Sequence, residues 1–172
     1  GGGLDASFLG LAQADNHGNV NVSKFNGRPV VCGGFVSITR STKNLVFCGT
    51  FTAGGLEVKV ADGQLTIVKE GRSRKFIEKV EQITFNGLDA AQREQNVLFV
   101  TERAVFHLTT EGLELTEIAP GIDLERDVLA HMGFKPIMRN VKTMDAGLFH
   151  EKWGGLAAAM AAKSEAVVPA AA

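Results

Sequence analysis

Two glycine pairs are the residues of this chain whose placement could do chemistry. Gly33-Gly34 follows the apolar run Pro29–Cys32, and Gly54-Gly55 follows Cys48-Gly49-Thr50 in a second apolar run, Leu45–Phe51. Glycine at a strand end lets backbone approach a ligand closely and present bare N–H groups to it. Open α/β sheets bind their ligands beyond the carboxyl ends of strands. The chemistry such a pattern serves is recognition of something anionic, or of something that becomes anionic during reaction. Glycine is also the default turn residue, so two ordinary strand exits are an equal reading of these residues alone.

The flanking sequence adds to this. Together with LGLAQADNHGNVNVS (9–23) and FVTERAVFHLTTEGLELTEIAPGIDLERDVLAHMGF (99–134), the glycine segment resembles the C-terminal half of a family I coenzyme A transferase. Within that family it is most similar to the single-chain branch of propionate, acetate and acetoacetate CoA-transferases. The likeness runs from Gly1 to Leu156. It implies an α/β fold, a strand-rich open sheet with helices of the NagB/RpiA/CoA-transferase type. It also implies transfer of CoA between a short-chain acyl-CoA and a free carboxylate. CoA is then a substrate, and no cofactor or metal is expected.

The resemblance assigns roles residue by residue. Gly33-Gly34 matches the second half of the family's Gly-x-Gly-Gly loop, where a glycine N–H faces the developing oxyanion, and Gly34 is the expected donor. Val31 stands where that motif has its first glycine. Phe35 is expected either beside the acyl group or pantetheine arm, or in the core. Thr52, Gly54 and Gly55 match the next loop and, with Gly33, Gly34 and Phe35, form the expected CoA-binding set. Ala53 replaces a lysine that some relatives carry before the second glycine pair. Asp15, Gly18, Asn19 and Asn21 match a family turn, for which an Asx-type turn is the simpler role.

The family's nucleophile is a glutamate that forms an anhydride and then a glutamyl-CoA thioester, in a motif preceding the GGGLD-like segment. No glutamate precedes Glu57 here, and Glu102 in Val100-Thr101-Glu102 matches a turn-bracing position. The expectation is an N-terminally truncated C-terminal domain, 1–156, followed by an Ala-rich tail, 157–172. This chain alone is expected to be inactive, with an N-terminal segment carrying the catalytic Glu as its partner and acyl-CoA and a short-chain carboxylate as its substrates. A truncated half should expose apolar surface, so homo-oligomerisation is expected too. The reading of a different class is a non-catalytic acyl-CoA-binding or scaffolding domain on the same fold.

Composition narrows the alternatives. With 18 basic and 19 acidic residues scattered along the chain, no basic stripe suited to nucleic acid is present. The densest cationic run, Lys69–Lys75, reads as a solvated loop, with contact to the CoA diphosphate as a weaker reading. Cys32 and Cys48 sit in apolar runs without metal-ligand spacing and are expected to be buried thiols. His17, His107, His131 and His150 share no spacing for one metal or a triad. No apolar run reaches the roughly 20 residues of a membrane span, and the expected location is cytoplasmic. Neither G-x-G-x-x-G nor G-x-x-x-x-G-K-[ST] occurs, which disfavours nicotinamide and P-loop enzymes.

The elements that must position these residues follow from periodicity and turn chemistry. Strands are expected at Phe8–Ala14, Val20–Ser23, Pro29–Cys32 and Leu45–Phe51, with Gly34–Thr42 a loop or short helix. Asp62-Gly63 predicts a hairpin joining Leu56–Val60 to Gln64–Lys69. Phe76–Phe85 reads as extended. Val97–Thr101, Ala104–Thr109 and Leu113–Ile118 form an expected meander. Asp123 caps a helix with Leu124, Val128, Leu129 and Met132 on one face, stopped by Gly133, with His131 favourably placed at its C-terminus. The tail is read as a frayed extension.

Overall fold

The computed structural model describes residues 3–167, with the side chains of 163–167 left aside; the last residues of the expected tail, 168–172, lie outside the described residues. In chain order the main strands are β1 (Ala6–Gly10), β2 (Asn44–Cys48), β3 (Glu57–Ala61), β4 (Gln64–Lys69), β5 (Asn96–Val100), β6 (Ala104–Thr109), β7 (Gly112–Ile118) and β8 (Lys142–Thr143). The helices are α1 (Phe35–Ser41), α2 (Gly87–Gln92) and α3 (Leu156–Val167).

One six-stranded mixed sheet carries the architecture, in the order β1-β2-β5-β6-β7-β8. β1, β2 and β5 run parallel, with Ala6 paired to Asn44 and Asn44 to Asn96. From β5 the sheet turns antiparallel through β6 and β7, the expected meander. The fold class is therefore the expected strand-rich, open α/β sheet.

Period-2 alternation decides which face is buried. Leu45 and Phe47, Val97 and Phe99, Phe106 and Leu108, and Leu113 and Leu115 all point into one core. Two aromatic groups fill it. Phe47 contacts the rings of Phe35, Phe85 and Phe99 at 5.1–5.9 Å, and Phe106 stacks with Phe51 and Phe76 at 6.4 and 4.7 Å. On the opposite face Phe8 is exposed, and its register partner Val46, itself paired with Leu98, is half-buried.

Several expectations give way to the structure. Pro29–Cys32 is not a buried strand: only Arg28–Pro29 pairs, with Lys24–Phe25, and Val31 is 93% exposed. The segment has no partner in the main sheet, so its apolar residues lack a surface to bury against. The capped segment after Asp123 is not an α-helix but a π-type turn, Leu124–Val128, followed by a 3₁₀ turn, Leu129–His131. Asp123 does cap it, accepting from the Arg126 N–H at 2.7 Å, while the Asp127 carbonyl turns to a buried arginine, Arg103. Gly133 is a close-approach glycine rather than a left-handed stop, since a Cβ there would fall 2.6 Å from the Glu78 nitrogen. Phe76–Phe85 makes only single bridges, Ala14 to Phe76 and Val20 to Phe85. The helix α2, capped by the Asn86 side chain, had no expectation at all. The tail begins as α3, exposed where its side chains are described.

The expected hairpin forms, with Asp62 and Gly63 at φ values of 55° and 75°, as a type I′ turn requires. Close packing is most severe at Gly87, where a Cβ would meet the His17 carbonyl oxygen at 2.1 Å and its neighbour Gly18 at 2.6 Å. Gly87→Ala is expected to lower stability by about 2 kcal/mol or more, as overpacking against backbone does; urea unfolding measures it, and an unchanged midpoint would contradict this packing.

Candidate functional site

The parallel strands aim their carboxyl ends at one rim, and the glycine loops stand there. α1 runs back from that rim. Its C-cap Thr42 bonds Ser7 near the start of β1 at 3.0 Å, and its first residue, Phe35, packs on Phe47 near the end of β2. Gly33, in a left-handed conformation at φ 51°, and Gly34, the N-cap of α1, are exposed. Among the described residues no acceptor takes either glycine's N–H. A Cβ on Gly34 would make only an ordinary 3.6 Å contact with Ile38, so packing within this chain does not demand glycine there.

The second glycine pair leaves the end of β2. Gly54 and Gly55 adopt φ values of 82° and 94° and are exposed, with the Gly54 carbonyl accepting from the Arg72 N–H at 3.2 Å. Thr52, expected beside CoA, is 1% exposed, and its hydroxyl is engaged by Glu70 and by the Gly71 N–H. Phe35 takes the core position of its two readings, at 8% exposed.

Beneath this loop lies a cluster that sequence reasoning missed, built on Arg103 at 0% exposure. Its guanidinium donates to Glu70 at 2.7 and 3.0 Å, to Glu102 at 2.7 Å and to the Asp127 carbonyl at 2.9 Å, and lies 5.0 Å from the centre of the Phe51 ring. Glu102 also accepts the Phe51 N–H at 2.8 Å, which is the bracing role its motif implied. Burial works against the Arg103 charge, but the bonds to Glu70 and Glu102 outweigh it and push its pKa up. For Glu70, burial favours the neutral acid, while the bonds from Arg103 and Thr52 hold the carboxyl below its usual range. A lone arginine at a strand exit carries no periodic signature; only its adjacency to Glu102 hinted at a pair.

Lys75 is a second cation near this rim. Its ammonium donates to the Leu11 carbonyl at 3.1 Å, and burial lowers its pKa, with the Glu102 charge opposing. His131 meets no α-helix end; its Nε2 lies 3.4 Å from Glu70 instead. The family-type turn is structural. Asp15 accepts from the His17 and Asn19 N–H groups at 3.1 Å, and Asn19 accepts from Gly87 at 3.0 Å. The cysteines depart from expectation. Cys32 is half-buried and Cys48 is exposed, because the strand ends there and turns its side chain off the core face. Among the described residues no cluster of His, Cys, Asp and Glu could hold a metal, and no helix is long and apolar enough to cross a membrane.

This fold, with glycine loops on a three-strand parallel rim, has its counterpart in CoA-transferases. The chain is 52% identical over 162 residues to a caffeate CoA-transferase of Acetobacterium woodii, and 51% over 150 residues to the acetate CoA-transferase YdiF of Escherichia coli O157:H7. These alignments cover 91% and 87% of this chain but 31% and 28% of the relatives, so the chain spans under a third of their length. The crystal structure of the YdiF apoenzyme superposes with a TM-score of 0.87 at 49% identity, covering 90% of this chain and 30% of that one. Glutaconate CoA-transferase from Acidaminococcus fermentans, at 21% identity and a TM-score of 0.59 over 82% of this chain and 53% of its own, shares the fold. No protein-family model matches the chain. A CoA-transferase family is what these similarities support.

Two outcomes follow from the geometry. A carboxylate whose pKa is lowered on folding stabilises the fold above its ordinary pKa, and that stabilisation is lost as pH falls through the lowered value. Acidification through and below the ordinary glutamate range, about pH 4, is therefore expected to lower the melting temperature of the wild type more than that of Glu70→Gln. Equal pH slopes for the two proteins would remove Glu70 from the stabilising pair. Cys48, exposed but with its thiol pKa pushed up by burial, is expected to react with a maleimide in the native state, faster as pH rises, and before Cys32. Mass spectrometry of timed labelling measures the order.

Proposed function

We propose that this chain supplies the oxyanion and CoA side of an acyl-CoA:carboxylate CoA-transferase. In this reading CoA moves between a short-chain acyl-CoA and a free carboxylate, as in the propionate, acetate and acetoacetate branch. The observation that carries the reading is identity near one half to CoA-transferases across about nine tenths of the chain. The two unengaged N–H groups of Gly33 and Gly34 support it chemically. An acyl group leaving sulfur passes through a tetrahedral oxyanion, and preorganised N–H donors stabilise that charge as it develops. Gly34 is the assigned donor. Gly33, Gly54 and Gly55 give the bound CoA close access to backbone, while Phe35 and Thr52 hold the two loops from beneath. One solved form of YdiF is described as a thioester complex with CoA, in keeping with a thioester route.

The nucleophile in this reading is a glutamate on an N-terminal segment that completes the site. Within these 172 residues Glu102 is committed to Phe51 and Arg103, and Glu70 to Arg103. A carboxylate so engaged is a poor nucleophile. The partners of the reading are acyl-CoA, a short-chain carboxylate, the Glu-bearing segment and a second copy of the chain, and its place is the cytoplasm.

In an enzyme that includes this chain and the Glu-bearing segment, Gly34→Pro, which removes the N–H at a φ of −77° that proline accepts, is expected to cut kcat by ~10²-fold, as loss of an oxyanion donor does. Near-normal turnover would remove Gly34 from the oxyanion site. The 172-residue chain alone, incubated with acetyl-CoA and trapped with hydroxylamine, is expected to yield no modified glutamate by mass spectrometry. A glutamyl hydroxamate on Glu57, Glu70 or Glu102, with turnover, would overturn the division of labour.

A further inference from the structure

A cavity of about 420 Å³ opens on the rim between three stretches of chain: Leu11, Ala12 and Gln13 after β1, the Phe25–Asn26 turn, and the paired segments around Ala53 and Ser73–Lys75. Its walls are built rather than incidental. Leu11 donates to the Cys48 carbonyl at 2.8 Å, Ala14 to the Lys75 carbonyl at 2.8 Å, and Ala53 pairs with Ser73. Leu11 is buried and Ala12, Phe25 and Ala53 are half-buried, which makes an apolar patch in a lining that also holds Gln13, Asn26, Ser73, Arg74 and Lys75. The Lys75 ammonium enters this lining with one hydrogen bond made, to the Leu11 carbonyl. Among the described residues no carboxylate lies within ion-pair distance of it. Glu102 acts on it only as a more distant charge, its oxygens being committed to Phe51 and Arg103. Arg74, also on the lining, donates one guanidinium N–H to the Ala130 carbonyl at 2.9 Å. Glu81, bonded to the Asn26 and Gly27 N–H groups, fixes the turn that closes the cavity.

A half-buried ammonium has three donors, and removing it from water costs energy unless an anion or acceptors replace the water. Here the Leu11 carbonyl takes one of the three donors. An apolar patch beside the Lys75 ammonium suits an anion that carries a hydrocarbon body, whose chain covers Leu11 and Phe25, a contact that a bare phosphate does not make.

We propose that this cavity is the subsite of the free carboxylate, with Lys75 binding the carboxylate group and Leu11, Ala12, Phe25 and Ala53 enclosing the hydrocarbon part. The proposal rests on the CoA-transferase reading for its biological sense, and it makes Ala53 and Phe25 determinants of acyl size. Lys75 is a substrate-binding group here, and no bond is made or broken on it.

The test is binding by the 172-residue chain, with no acyl-CoA and no turnover involved. Propanoate, butanoate, inorganic phosphate and pyrophosphate are titrated separately while backbone amide shifts are followed by NMR. Saturable shifts at Leu11, Ala53 and Lys75 with butanoate, tighter than with phosphate, are expected. Losing a charge-assisted hydrogen bond should weaken butanoate binding by about 10-fold or more in Lys75→Gln, while Lys59→Gln on the exposed hairpin should bind as wild type. Ala53→Leu keeps the cation but fills the cavity, and should weaken butanoate more than propanoate; it decides the matter if Lys75→Gln does not fold. Shifts with phosphates alone would make this a phosphate site and overturn the proposal. So would no saturable shifts, or wild-type binding by Lys75→Gln or Ala53→Leu. Because the assay reads binding only, these failures leave the transferase reading standing. A failed transferase assay likewise leaves carboxylate binding intact.

Discussion

A guanidinium removed entirely from water has to be surrounded by acceptors, and meeting that demand for Arg103 organises the rim. Each group that satisfies it comes from a different part of the chain: Glu70 from the segment after β4, Glu102 from the β5–β6 turn, and the Asp127 carbonyl from the π-type turn. The Phe51 ring beneath it and the Thr52 hydroxyl on Glu70 tie in the loop after β2. Four segments are thus fixed to a single cation. A buried ion pair is weak evidence of net stability, because desolvation offsets the attraction. What it provides here is geometry, since leaving any of these partners unsatisfied in the interior would be costly.

That geometry explains how exposed glycines can be placed with definition. Gly54 and Gly55 hold no side chains that could anchor them, and their left-handed backbone is unfavourable for other residues. The anchoring lies just before them, at Phe51 and Thr52, and just opposite, where Gly71 bonds the Thr52 hydroxyl. Gly33 and Gly34 are held differently, by Phe35 sunk into the aromatic core at the start of α1. In both loops the residue that fixes the backbone is buried and the residues that face solvent are bare. In the function proposed above, backbone held this way would need no reorganisation as charge develops beside it.

The strands with clean alternation were legible in the sequence: the meander, the run through Leu45 and Phe47, and the hairpin at Asp62-Gly63 all express a local period or a local turn. Resemblance supplied the fold class and the turn-bracing part for Glu102. What the sequence hid depends on distant contacts. Val30 and Val31 look like core until it is seen that no strand of the main sheet lies beside them. Cys48 looks buried because Val46 and Phe47 precede it, yet the strand ends on its outward position. The segment after Asp123 has a helical pattern, but the Asp127 carbonyl is drawn to Arg103, and a wider turn results. The cation at 75 sits in a run that reads as solvated, and only the return of the chain past Leu11 encloses it.

The parallel part of the sheet has a consequence for how the molecule assembles. β5, β6 and β7 are joined by turns of a few residues, and their pairing needs little loop closure. β1, β2 and β5 are joined only across long intervals, Ala6 meeting Asn44 and Asn44 meeting Asn96. Closing such intervals takes entropy before any contact repays it, and non-local parallel pairing is slow for that reason. The rim that carries the glycine loops comes into being only when these distant strands are in register: the meander, whose closures are short, holds none of the glycine loops, and the edge that holds them depends on the longest closures in the sheet.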